Sequence, residues 1–282
     1  MKFYRRRAAL LAVLGGVLLA FGMFLGVEAA EKSIGDSPVL LVAHRAGAGS
    51  APENTVAALE QAIKDGAVMA EIDVQQLGDG TLIVMHDSNF LRTAGVDKNV
   101  WDTDYEEVKQ FDAGSSFSGG YAGERVPTLE EMLLSADNRI CLMIELKYTG
   151  HEENLEPAVL ALLKKYRMER KCIIGSMNAG ILERVKIMDS QAATVLIAHT
   201  LSEEQYDLEY ADSYSIEAEN MTAEMVDRLH AQDKAVYGWT ANRKEKMEYI
   251  LNCGADGIIT DRVNYGKTFL HFRNLRKTIC HW

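Results

Sequence analysis

An α/β chain closed as a (β/α)8 barrel is predicted by three features of the sequence. Eight short runs rich in Val, Ile and Leu alternate with amphipathic segments. The alternating part is roughly 245 residues long, close to the usual size of such a barrel. No Gly-x-Gly-x-x-Gly fingerprint follows the first run, which disfavours an open dinucleotide-binding sheet. Near-continuous apolar strands separated by helices read as a parallel sheet covered on its outer faces.

The strands begin at Val39 (VLLVA), Met69 (MAEIDV), Ile140 (ICLMIEL), Cys172 (CIIGS), Thr194 (TVLIAH), Ser213 (SYSI), Ala235 (AVYGW) and Gly257 (GIIT). Helical periodicity is clearest over 54–64, 152–167, 179–188, 222–231 and 243–252. One segment breaks the rhythm. TLIVMHD, from Thr81, follows the second strand after too few residues for a parallel crossover, so it must return antiparallel. Asp79-Gly80 reads as a two-residue hairpin turn, which sets Gly78 against Thr81 and Asp73 against His86. The result is a β-hairpin arm at the barrel mouth, followed by an insertion at about 87–126 with the character of a lid or binding loop. Thr128 and Glu131 then open a helix as cap and third helical residue.

Both ends differ from this body. Ala8 to Val27 holds twenty residues without a charge, long enough as a helix to cross about 30 Å of hydrocarbon, and Arg5-Arg6-Arg7 precedes it as a positive-inside flank. An uncleaved transmembrane signal anchor is expected, with a signal peptide cleaved near Val27-Glu28-Ala29 as the alternative. Either reading exports the domain: membrane-anchored on the extracytoplasmic side in the first case, secreted in the second. The expected organisation is a basic flank and span over 1–30, a linker at 31–38, the barrel over 39–265 and a basic tail over 266–282.

The whole chain carries 30 basic and 41 acidic residues, a net charge of −11. Residues 1–30 hold four basic residues and one acidic, so the rest carries 26 basic and 40 acidic, or −14. That balance argues against a nucleic-acid partner. Four cysteines are too few for a disulfide scaffold, and Cys141, Cys172 and Cys253 lie in apolar strand or helix patterns expected of buried thiols. Nothing in the pattern assigns an oligomeric state.

In a barrel the chemistry gathers at the C-terminal ends of the strands. There the first strand carries His44-Arg45, and the second carries Glu71 and Asp73, two apart and so on one face. The arm carries His86-Asp87, the next barrel strand Glu145 and Lys147, and the seventh ends at Trp239. Carboxylates converging in a barrel mouth repel one another and are costly to desolvate without a cation. The oxygen set Glu71, Asp73 and Glu145 suits one divalent cation, Ca²⁺ or Mg²⁺. Arg45 and Lys147 add fixed positive charge for a phosphate, and His44 and His86 titrate near neutrality, suited to acid and base.

These residues resemble the glycerophosphodiester phosphodiesterase family. The match rests on His44-Arg45-x-Gly47, Pro52-Glu53-Asn54-Thr55, Glu71-x-Asp73, Asp79-Gly80, His86-Asp87, Glu145-Leu146-Lys147, Trp239-Thr240 and Asp256-Gly257-Ile258-Ile259-Thr260-Asp261, in that order, over roughly 39–262. The resemblance implies a TIM barrel that hydrolyses a small-molecule glycerophosphodiester to sn-glycerol 3-phosphate and an alcohol with a divalent cation. It implies metal ligands at Glu71, Asp73 and Glu145, catalytic histidines at His44 and His86, and phosphate contacts at Arg45 and Lys147. This chain departs from the family in having Ala46 where the family's Gly is usual, with Gly47 next.

Glu53 reads equally as site support or as a charge at a helix start, and Asn54 as site support or, like Thr55, as the helix cap. Trp239 is expected to wall a glycerol pocket. Glu217 and Glu219 could reach the mouth but are assigned no role. His151, His199, His230, His271 and His281 are likewise assigned none. A related phosphodiesterase acting on lysophospholipids, phosphoinositides or sphingolipids is the nearest alternative, and a non-catalytic tethered barrel the more distant one.

Overall fold

The structure, a computed structural model, describes residues 39–279. Eight parallel strands close into a ring: β1 (Leu40–Ala43), β2 (Met69–Gln76), β4 (Cys141–Leu146), β5 (Cys172–Ser176), β6 (Ala193–Ala198), β7 (Ser213–Glu217), β8 (Ala235–Trp239) and β9 (Gly257–Thr260). Closure is direct, since β1 pairs with β2 on one side and with β9 on the other. The strands expected from the sequence are all present. Seven α-helices of eight or more residues pack outside among the described residues, besides two four-residue helices in the insertion (Leu91–Ala94 and Tyr105–Val108): α1 (Val56–Asp65), α2 (Leu129–Ala136), α3 (Leu155–Tyr166), α4 (Ala179–Met188), α5 (Ala223–His230), α6 (Lys244–Asn252) and α7 (Val263–Ile279). Between β6 and β7 there is only a 3₁₀ segment, Glu203–Asp207.

Alternation along the strands divides the core. Val42, Met69, Met143, Val195, Tyr237 and Ile259 form one cluster inside the ring. Leu41, Ala70, Ile72, Leu142, Ile144 and Ile174 belong to the cluster between strands and helices. The period of two then carries the inner row upward to the mouth, from Met69 to Glu71 and Asp73 and from Met143 to Glu145. By the same count Val42 leads to His44, Ile259 to Asp261 and Tyr237 to Trp239. A polar residue at the top of an inner row is what makes the mouth a site.

Helix starts are capped as their sequences require. Thr55 accepts a bond from the Ala58 N–H, and Thr128 and Glu131 form a reciprocal capping box, each cap contributing about 1 kcal/mol. Helix α1 therefore begins after Thr55, and Asn54 is left free for another task.

β3 (Leu82–Val84) returns antiparallel to β2 as expected, but one residue out of the predicted register. Val74 faces Val84, so Asp73 lies opposite Met85, whose N–H donates to the Asp73 carbonyl at 2.8 Å. The turn explains the shift. Leu77 and Thr81 close a three-residue loop in which Gly80 takes φ 86°, rather than a two-residue turn at Asp79-Gly80. Such a slip would turn His86 away if the strand continued. It ends at Val84 instead, and the buried Gln75 amide takes the carbonyls of Met85 and Asp87 at 2.7 and 2.8 Å. The chain bends there and returns His86 to the mouth.

The insertion folds on its own small core, with Phe90 edge-on to Phe111 at 5.1 Å and packed with Leu77, Ile83 and Val108. The boundary expected at 265 falls within α7, and Phe269 and Leu270 pack against the barrel core. The expected anchor and linker lie outside the described residues, and among those described no helix is long and apolar enough to cross a membrane. Cys141, Cys172 and Cys253 are free thiols.

Candidate active site

At the mouth the first loop is strained in a way that serves the site. Arg45 and Ala46 both take left-handed backbone, φ 47° and 62°, which costs about 1–2 kcal/mol for each non-glycine residue. Ala46 thus stands where glycine would be easier. The loop is held by Gly47 N–H to the His44 carbonyl and Asn54 N–H to the Arg45 carbonyl, both 2.8 Å. Its product is an Arg45 N–H aimed at Glu71 Oε2, 2.8 Å away. Gly49 lies so close to the Asp261 carbonyl that a Cβ would meet it at 2.5 Å.

Glu71, Asp73 and Glu145 are buried, and their oxygens lie within 4.8 Å of one another. Asp73 and Glu145 are register partners on β2 and β4. Lys147 Nζ reaches both, at 2.8 Å each. Asn54 completes the holder, donating to Asp73 Oδ2 at 2.7 Å and accepting from the Asp73 N–H at 3.2 Å. Burial pushes the Asp73 carboxyl up, but Lys147 and His86 outweigh it, and the group is held well below the usual carboxylate range. Glu71 lacks such compensation: burial and then the neighbouring Asp73 push it up to about 8. Burial raises Glu145 as well, against the pull of Lys147. Three buried carboxylates with one lysine between two of them, all hard oxygen donors, could hold a divalent cation.

Each histidine has its own carboxylate. His44 Nδ1 lies 2.6 Å from Asp261 Oδ1, and Asn242 donates to the other Asp261 oxygen. His86 Nδ1 lies 2.7 Å from Asp87 Oδ1. In both rings this leaves Nε2 for the mouth. Burial works against the charged form of His44, yet the bond to Asp261 and the charges of Glu71 and Asp261 hold its pKa above the usual value. At His86 burial, aided by Lys147 and Arg45, outweighs Asp73 and Asp87 and holds it below.

Arg45 donates from Nη1 to Glu53 at 3.0 Å, while its Nε is buried without a partner. An unpaired buried donor on a guanidinium is costly unless an anion meets it. Glu53 is thus tied to Arg45 in the site rather than serving only the helix start. Across the mouth, Trp239 is fixed by its indole N–H to the Ser215 carbonyl at 3.1 Å and packs on His199, centroids 5.3 Å apart. His199 in turn bonds Glu217 at 3.1 Å, so these two stand at the rim. Glu219 instead pairs with Lys246, and His151 stacks on Trp101 at 4.2 Å. A cavity of about 530 Å³ opens beside His86, lined by Gln75, Asp87, Tyr148, Thr149, Met177 and Asn178, in the size range of small-ligand sites.

All the residues expected from the strand ends therefore meet at one mouth. Sequence reasoning missed the parts that hold them. Asp261 carried a motif but no role, although its place two residues above Ile259 signals it. Asn242 and Arg92 were assigned no role, since Asp261 lies 19 residues from Asn242 and Glu53 lies 39 from Arg92.

Comparison with known proteins agrees with this geometry. Residues 44–265 match the model of the glycerophosphoryl diester phosphodiesterase family. A glycerophosphodiester phosphodiesterase of Caldanaerobacter subterraneus is 37% identical over 231 residues, covering 79% of this chain and 93% of that protein. One from Bacillus altitudinis is 32% identical over 233 residues, covering 78% and 94%. The fold superposes on a phosphodiesterase of Oleispira antarctica, solved in complex with the product sn-glycerol-3-phosphate, with TM-score 0.78 and 28% identity, covering 82% of this chain and 96% of that one.

Proposed function

We propose, starting from a chain that belongs to the glycerophosphoryl diester phosphodiesterase family and is a phosphoric diester hydrolase, that its substrates are glycerophosphodiesters, cleaved to sn-glycerol 3-phosphate and an alcohol with a divalent cation at Glu71, Asp73 and Glu145. The observation that carries this reading is the pair of His–carboxylate dyads facing the acidic triad, with the unpaired Arg45 Nε beside them. A cation bound there would neutralise non-bridging oxygens of the phosphate.

The chain's own groups supply the rest. Arg45 and Lys147 bind the phosphate and steady its charge as the fifth oxygen adds. His44 Nε2 takes the proton of the attacking hydroxyl, and Asp261 stabilises the imidazolium that forms. His86 flanks the 530 Å³ cavity, which receives the departing alcohol, so His86 Nε2 delivers its proton to the leaving oxygen as the phosphorus–oxygen bond breaks. Their pKa directions suit these roles: His44 holds a proton tightly and His86 releases one readily. Trp239, with His199 and Glu217, walls the glycerol side. The scheme is the same for attack by water or by the neighbouring glycerol hydroxyl, and product analysis for a cyclic phosphate separates them.

The test is turnover of glycerophosphocholine, glycerophosphoethanolamine, glycerophosphoglycerol and a lysolipid, each with EDTA, Ca²⁺ or Mg²⁺. Release of glycerol 3-phosphate from the water-soluble diesters, abolished by EDTA, is expected. Turnover of the lysolipid alone, or full activity in EDTA, would overturn the substrate or the metal assignment respectively. The basic flank and the uncharged run Ala8–Val27 support placing the domain extracytoplasmically, which protease digestion of intact cells checks.

A further inference from the structure

We propose that Arg92, in the insertion, is a positioning residue that locks the proton-donating loop and the phosphate-binding loop together by bridging their carboxylates. The geometry is a guanidinium shared between two acids from distant parts of the chain. Nη1 and Nη2 donate to Glu53 Oε2 and Oε1 at 2.9 and 2.6 Å. Nε and Nη2 donate to Asp87 Oδ2 and Oδ1 at 2.6 and 3.1 Å. Each acid has a second bond into the site: Glu53 accepts from Arg45 Nη1, and Asp87 holds His86 Nδ1. The wire therefore runs Arg45, Glu53, Arg92, Asp87, His86.

Without Arg92 no other side chain among the described residues bridges Glu53 and Asp87. Glu53 would keep one arginine, and the Asp87 carboxylate would keep only its histidine bond while gaining freedom to rotate. A planar fork that reads two carboxylates at once is a task for Arg and not for Lys. Arg92 itself is 49% exposed on its side chain, so its worth to global stability is small. Its four donor contacts are aimed at two acids that each touch a reacting-centre residue. Bonds that fix the orientation of a metal-binding imidazole cost about 10- to 100-fold in activity when lost, and a bond that orients a proton-donating imidazole acts through the same restraint.

The proposal rests on the hydrolase reading above, in which His86 donates the proton. The experiment uses the full chain, saturated with the cation that supports turnover, on glycerophosphocholine and on a p-nitrophenyl diester whose leaving oxygen needs no proton. Arg92→Ala should lower kcat on glycerophosphocholine about 10-fold. Its melting temperature should move by no more than about 2–4 °C. Added guanidinium should restore much of the lost rate to Arg92→Ala and none to Arg92→Lys, whose ammonium fills the place with the wrong shape. Asp87→Asn combined with Arg92→Ala should be scarcely worse than Asp87→Asn alone. Arg125→Ala, which removes an exposed pair between the insertion and Glu131 of α2, should leave kcat unchanged.

A kcat for Arg92→Ala within twofold of the parent overturns the proposal, and so does a loss that guanidinium leaves in place. Failure of the underlying reading looks different. His86→Ala would then be as slow on the p-nitrophenyl diester as on glycerophosphocholine, whatever guanidinium does to Arg92→Ala.

Discussion

The mouth of the barrel has two corners built for the same chemistry by different means. At the β1–β9 corner, His44 leans on Asp261, which stands at the top of a strand and is itself gripped by the Asn242 side chain. The His44 side chain is 16% exposed. At the arm corner, His86 leans on its chain neighbour Asp87, which is gripped by Arg92 from the insertion, and the His86 side chain is 34% exposed. One dyad hangs from the ring of strands, the other from a loop network that had to be assembled from three segments. The difference teaches where each proton affinity comes from. Burial works against the charge on both rings. At His44 the bond to Asp261 and the charges of Glu71 and Asp261 overcome it, whereas at His86 Asp73 and Asp87 do not, with Lys147 and Arg45 set against them. The first corner is suited to keep a proton it has taken, the second to surrender one.

The largest effects come from removing the rings themselves. His44→Ala and His86→Ala should each lower kcat on glycerophosphocholine by about 10²- to 10⁴-fold, with circular dichroism unchanged. The corners separate when the leaving group is improved. A p-nitrophenyl diester should bring His86→Ala back toward the parent, since its leaving oxygen departs without a proton, and should leave His44→Ala slow. Recovery of His44→Ala instead would exchange the two roles.

Next in size are the carboxylate partners. Asp261→Asn should cost on the order of 100-fold and Asp87→Asn on the order of 10-fold, because the strand-end partner has no substitute. Their pH profiles should also differ. The active form has His44 neutral and His86 protonated. With His44 above His86 in pKa, the rate falls at low pH as His44 stays charged, and falls at high pH once His44 is fully neutral while His86 keeps losing its proton. The basic limb therefore follows His44. Asp261→Asn removes the carboxylate that raises His44, so that limb should move to lower pH, with kcat/KM measured across pH 5–10 as the check. A cation at Glu71 offsets that residue's share of the shift and leaves the share of Asp261 in place. A basic limb that stays where it was would detach Asp261 from the proton affinity of His44.

The strand-end corner is also the one the sequence announces. Period-two alternation brings Glu71, Asp73, Glu145 and His44 to the mouth, because a strand with a buried face admits one register. The arm corner was legible only in its residue types. Its register differs by one from the Asp-Gly expectation because Gly80, at φ 86°, closes a three-residue loop in place of a two-residue turn. That His86 reaches the site at all depends on the Gln75 amide gripping the bend, a contact no pattern of hydrophobicity foretells. Arg92 was invisible for a related reason. It lies in a stretch without periodicity, and its partner Glu53 is 39 residues away in the chain.

The smallest expected effect follows from exposure. Bonds between charged groups weaken as salt shortens the screening length from about 10 Å at 0.1 M to about 3 Å at 1 M, and more so for exposed pairs than for buried ones. The Arg92 bridge is half exposed, whereas the Asp261 dyad is set deeper and its second bond comes from a neutral amide. Raising NaCl from 0.1 to 1 M should therefore lower kcat on glycerophosphocholine about two- to fivefold, the fall expected from losing most of one exposed ion pair. Substrate is kept saturating so that weaker capture of an anionic ligand does not enter. The p-nitrophenyl diester, which does not call on His86, should show little of this fall, and Arg92→Ala should show none. Equal salt sensitivity on both substrates would mean that the strand-end corner is screened as readily as the arm corner, and that the depth of His44 does not protect it.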